Sequence, residues 1–113
     1  MLQTDVSQRI LRKKINAYQE NEILSSSPEK LILFLYDQAI RGCKSDDNRR
    51  ASKAIAHLID SLDFKYEEIA TGLFRLYEYT MQLVQSKDYE KALVILTDLR
   101  TAWINALHQQ RAA

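Results

Sequence analysis

Two histidines, one cysteine and scattered carboxylates are the side chains in this 113-residue sequence with the chemistry for metal binding or nucleophilic catalysis. A di-metal carboxylate site in a helical bundle needs Glu-x-x-His twice, plus two more glutamates facing inward. His57 and His108 have Ala54 and Asn105 three residues before them, so neither completes the motif and no metal site is expected. Cys43 follows Gly42 where a helix should end and has no histidine near it in sequence, which reads as a packed or surface thiol. Two glycines cannot build a phosphate-cradling loop. Asp46–Asp47 and Glu67–Glu68 fall in polar stretches, where a solvated surface is the default. The expectation is a protein that is not an enzyme and carries no cofactor.

Arg9-Ile10-Leu11-Arg12-Lys13-Lys14 is the one basic cluster, of a kind that can meet nucleic acid or an anionic membrane. No aromatic residue interleaves it, and the chain as a whole is balanced at 16 basic and 15 acidic residues. A solvated arm is the reading, with no nucleic-acid partner and no membrane insertion. One cysteine makes no internal disulfide, no apolar run approaches the ~18 residues of a membrane span, and no apolar stretch of a secretory signal follows the basic residues. A cytoplasmic location is expected.

The elements that must position any site are helices. Apolar residues make up 46% of the chain, ample for one core, and two glycines with one proline are too few for the turns of a sandwich, barrel or open sheet. Residues 1–24 form an N-terminal arm or short helix, with Leu2, Val6, Ile10 and Ile15 only loosely at helical spacing. Residues 25–113 form the bundle. Ser26 with Glu29 fits a capping box, and Ser27-Pro28 fits an N-cap followed by proline in the first turn. The first helix is predicted over about 28–41, with Gly42 just past its end in the left-handed conformation. The second, about 48–62, carries Ala51, Ala54, Ile55, Leu58, Ile59 and Leu62 on one face. The third, about 65–85, places Tyr66, Ile69, Leu73, Leu76, Thr80 and Leu83 on its seam, flanked by Ala70, Tyr77 and Val84. Asp88 is the expected cap of the fourth, whose seam is Tyr89, Ala92, Leu96, Leu99, Trp103 and Ala106. Short connections force antiparallel neighbours, so the fold class is all-α, an antiparallel up-down four-helix bundle.

Surplus hydrophobicity remains. The first helix holds six consecutive apolar residues, Leu31 to Tyr36, which cover more than one face. Phe34, Phe74, Tyr79, Met81 and Ile104 add to faces already filled. Together they point to an apolar groove for a partner helix or segment. A structural protein whose apolar surface makes a homodimer or domain-swapped oligomer is the alternative.

Asn16-Ala17-Tyr18, then Ser27-Pro28-Glu29-Lys30-Leu31-Ile32 with Leu35-Tyr36, resembles the flagellar export chaperone family FliS. Ser61-Leu62-Asp63, Ile69-Ala70, Leu76-Tyr77-Glu78-Tyr79 and Leu99-Arg100-Thr101-Ala102-Trp103 continue the likeness in the family's order. The stretch from Tyr36 to the second helix is shorter than is usual there, and residues 1–15 are a longer arm. The resemblance implies a bundle that binds the C-terminal segment of flagellin, prevents premature polymerisation and delivers it to the type III flagellar export apparatus. A divergent chaperone with a different client is the variant of this reading. By the same resemblance the Ala-Tyr segment covers part of the groove in the free chaperone. The candidate client-contact residues are Tyr18 and Ile23 on the arm, Leu31 and Leu35 on the first helix, Ile55 and Ile59 on the second, and Phe74, Tyr77 and Met81 on the third.

Overall fold

The computed structural model describes residues 27–112, with side chains through residue 109. The fold is that of the compact unit Ile32–Ala113; Ser27–Leu31 close the other unit, Met1–Leu31, and contribute the opening turn of the first helix. The arm, its basic cluster and Ser26 lie outside the described residues. Among the described residues four helices follow in order: α1 Pro28–Lys44, α2 Asn48–Asp60, α3 Glu67–Gln85 and α4 Tyr89–Ala112, with one 3-10 turn, Phe64–Tyr66, leading into α3.

Each boundary has a local cause. Ser27 opens α1: its carbonyl accepts the Lys30 N–H at 3.1 Å and its hydroxyl oxygen lies 3.4 Å from the same nitrogen. Pro28 then fills the first helical position, where its missing N–H costs nothing. The helix does not stop at Gly42 as the sequence predicted. It continues to Lys44, and Asp46, not Gly42, takes the left-handed backbone at φ 54°. Asp47 N–H then reaches back to the Gly42 carbonyl at 2.8 Å, satisfying a carbonyl of the last turn. Asp47 also caps α2, its carboxylate accepting the Arg50 N–H at 3.1 Å.

The same device recurs between α3 and α4: Lys87 is left-handed at φ 62°, and Asp88 N–H bonds to the Leu83 carbonyl at 2.8 Å. The second helix ends two residues before the predicted Leu62. Ser61 turns its hydroxyl onto the Leu58 carbonyl at 2.6 Å, and Asp63 caps the 3-10 turn through the Lys65 N–H at 3.0 Å.

The helices alternate in direction, as an antiparallel up-down four-helix bundle requires. Central among them is α3, which packs against both α2 and α4. Asn48 at the head of α2 donates to the Val84 carbonyl near the foot of α3 and to the Tyr89 hydroxyl at the head of α4, 3.2 Å away. That one amide ties three helices at one end of the bundle. On α1, Gln38 accepts from Arg50 of α2 at 2.8 Å, and Asp37 from Arg100 of α4 at 2.7 Å. Both contacts are partly solvated, so they fix register more than they stabilise.

The core comprises Leu35, Tyr36, Ala39 and Cys43 of α1, Ala51, Ala54, Ile55 and Leu58 of α2, Ala70, Tyr77, Thr80, Leu83 and Val84 of α3, and Ala92 and Leu96 of α4. The predicted stripe of α2 is therefore the inward one. The predicted seam of α3 is inward at Thr80 and Leu83 and fails at its N-terminal end. Tyr66 and Ile69, assigned to it, are each 67% exposed, whereas the assigned flank Ala70–Tyr77–Val84 is buried. Tyr66 sits in the turn at the bundle's end, and small Ala70 lets α3 approach its neighbours closely.

Candidate partner-binding surface

The nine residues predicted to contact a client fall into three groups. Tyr18 and Ile23 lie outside the described residues. Leu35, Ile55 and Tyr77 are interior, at 3, 0 and 3% exposure, and they support a surface without presenting one. Leu31, Ile59, Phe74 and Met81 are half-buried and offer apolar atoms to solvent. Phe74 and Met81 stand seven residues apart on the same flank of α3, two turns of one helical row.

Behind them lies the polar centre of the core. Tyr36 of α1 and Tyr77 of α3 bring their hydroxyls to 2.6 Å, with ring centroids 6.4 Å apart and planes tilted by 55°. Burial pushes both phenols above the ordinary tyrosine range, although for Tyr36 the hydrogen bond from Tyr77 opposes the rise. Both therefore stay protonated at any physiological pH. Thr80 is fully buried and donates its hydroxyl to the Leu76 carbonyl at 2.7 Å. Among the described residues no buried side-chain polar atom lacks a hydrogen-bond partner. The described interior is satisfied.

The reactive residue types are equally quiescent. Cys43 is buried at the end of α1, and desolvation pushes its thiol up to about 11, away from the thiolate. His57 is half-buried on α2; desolvation holds it below its ordinary value, Asp60 opposes that and Lys53 adds to it. Among the described residues no three His, Cys, Asp or Glu side chains are grouped to hold a metal ion.

Of the surplus apolar residues, Phe34 and Ile104 are half-buried like Phe74 and Met81, while Tyr79 is 49% exposed. The sequence reading missed other exposed apolar side chains: Phe64 at 54%, Tyr66 and Ile69 at 67%, and Val94 at 60%. A signal for the first two was present. Phe64 and Tyr66 fall in the break between helices, among Asp60, Asp63, Glu67 and Glu68, where no core could claim them.

The family model described as flagellar protein FliS matches residues 11–110, and the chain belongs to that family. Its class is that of the flagellar export chaperones. Comparison with curated proteins and with solved structures finds no match. Among the described residues no helix is long and apolar enough to cross a membrane.

Proposed function

We propose that the chain binds the C-terminal segment of flagellin in the cytoplasm, keeps it from polymerising and hands it to the type III export apparatus. The observation that carries this is the family match across residues 11–110. Physical chemistry supports it. A flagellin terminus is an amphipathic segment that orders only against neighbours, so a row of apolar side chains can stand in for them. Phe74 and Met81 on α3, with Ile59 on α2, supply such atoms while half-covered themselves. Tyr18 and Ile23 are proposed as the reversible cover: a tyrosine ring packs on an apolar surface while its hydroxyl stays wet.

The test mixes the full chain with the C-terminal segment of the flagellin encoded in the same genome. The expected result is a 1:1 complex by light scattering, together with slower filament growth when the chain is added to flagellin. A chain that stays a self-associated oligomer and leaves filament growth unchanged would overturn the proposal in favour of the homo-oligomer. A chain that is monomeric, yet forms no complex, would point to a different client.

A further inference from the structure

Gln38 on α1 and Arg50 on α2 face each other, the Arg50 Nε donating to the Gln38 amide oxygen at 2.8 Å. One turn on from Gln38, Gly42 lies against Ala51. These two contacts fix which sides of α1 and α2 form the seam between them. Phe34, Gln38 and Arg41 follow at steps of four and three, so they share a row along that side of α1. On α2, Lys53 stands three residues from Arg50 and four from Arg49, which puts all three cations on the outward edge beside that row. Arg41 and Arg49 are exposed; Phe34, Gln38, Arg50 and Lys53 are half-buried.

The seam is cationic, although no run of basic residues marks it in the sequence. Residues 38–59 hold Arg41, Lys44, Arg49, Arg50 and Lys53 against Asp46 and Asp47, in a chain whose net charge is +1. Nearby carboxylates are engaged elsewhere. Asp47 caps α2 through the Arg50 N–H, and Asp46 hydrogen-bonds the Tyr89 hydroxyl at the head of α4. Asp37, one turn from Arg41, is held by Arg100 at 2.7 Å, and Asp60 lies two turns beyond Lys53, beside His57. The Lys91–Asp88 and Arg100–Asp37 ion pairs involve none of the four seam cations. Arg50 has a neutral amide as its side-chain partner, and its bond there uses Nε. A guanidinium suits a carboxylate better than an amide, because its forked donors match two oxygens and the charges oppose.

We propose that the α1–α2 seam docks an acidic segment of a partner protein. Its carboxylates meet Arg41 on one side and Arg49, Arg50 and Lys53 on the other, and an apolar side chain of the segment rests on Phe34. A protein segment fits better than a nucleic acid or an anionic membrane. Four cations grouped around a ring and an amide, with Asp46 and Asp47 at the end of the seam, suit a few placed carboxylates and would repel a continuous polyanion. This surface is distinct from the proposed client flank. On α2, Asn48 reaches α3 while Arg50 reaches α1, and Ile59 belongs with the first side, the cations with the second.

The experiment titrates the full chain, by calorimetry at low salt, with two synthetic 12-residue peptides. Both contain one phenylalanine and two leucines; one carries six glutamates, the other glutamines in their place. The acidic peptide should bind 1:1 and at least about tenfold more tightly than the neutral one. R41E/R49E should lose about tenfold in affinity, whereas K65E/R75E, an equal charge change outside the seam, should not, with thermal unfolding showing both variants folded. The proposal is overturned if the two peptides bind alike or if K65E/R75E weakens binding as much as R41E/R49E. Binding that survives R41E/R49E would belong to the basic run Arg9–Lys14 and would overturn it too. So would a 12-nucleotide single strand or phosphatidylglycerol vesicles that bind more tightly than the acidic peptide and are lost with R41E/R49E, or a flagellin C-terminal segment that displaces the peptide.

Discussion

At the scale of single residues the Tyr36–Tyr77 pair shows how a polar contact can sit in a core without serving chemistry. Each hydroxyl has the other as its partner at 2.6 Å, and both rings are 3% exposed. Y36F or Y77F strands the surviving hydroxyl in an apolar interior, which costs about 1–3 kcal/mol. Y36F/Y77F removes both polar groups while keeping both rings, so the double variant should cost less than the two single changes added together. Denaturant unfolding of the four proteins measures that coupling; strict additivity would mean that the hydroxyls do not interact. His57 makes a pH-dependent contribution of known sign. Burial favours its neutral form, so its folded pKa lies below 6.5. Above that pH neither folded nor unfolded state carries the proton, and the residue contributes nothing. As pH falls below it, the unfolded chain takes up the proton first, and stability declines until the folded pKa is passed. H57Q should flatten the decline as pH falls below 6.5, measured as denaturant midpoint against pH.

At the scale of elements the two glycines look alike in the sequence and do opposite things. Gly42 lies inside α1, and an added Cβ would sit 2.6 Å from the Ala51 nitrogen and 2.9 Å from the Ala51 Cβ. The glycine is there so that α1 and α2 can close on each other, and no positive φ is involved. G42A should therefore destabilise even though alanine is the better helix former. Gly72 has open space around it on an exposed helical face, so G72A should stabilise by about 0.5–1 kcal/mol. Melting temperatures that move in the same direction for the two would refute this pairing. The sequence could not separate these cases, because a glycine ending a helix and a glycine admitting a neighbour leave the same mark. The inward face of α2 was legible, since a single apolar stripe fits it and the opposite face is polar. L58A, at a fully buried position, should accordingly cost about 2–5 kcal/mol in denaturant unfolding. On α3 two adjacent lines of apolar residues both fit the helical repeat. Side-chain volume favours Ile69–Leu76–Leu83, but its neighbours bury Ala70–Tyr77–Val84 throughout and, of the other line, Leu83. The same ambiguity kept Leu35, Ile55 and Tyr77 among the candidate contacts, because apolar periodicity marks what is buried without saying whether helix or client buries it.

At the scale of the whole molecule the Phe74–Met81 flank of α3 should bind its client with the thermodynamic signature of apolar burial. Phe74 and Met81, with Ile59, offer hydrocarbon, sulfur and ring atoms, none of them ionisable. Flagellin binding there should show a negative heat-capacity change, the mark of apolar burial, in titrations at several temperatures. It should also change little between about 50 mM and about 500 mM salt, because contacts without charge are not screened. A client affinity that collapses with salt would move flagellin off the Phe74–Met81 flank and onto charged surface, either the acidic head of α3 or the basic run Arg9–Lys14. Charge reversal then separates those two: E67K/E68K would remove the salt dependence in the first case and leave it intact in the second.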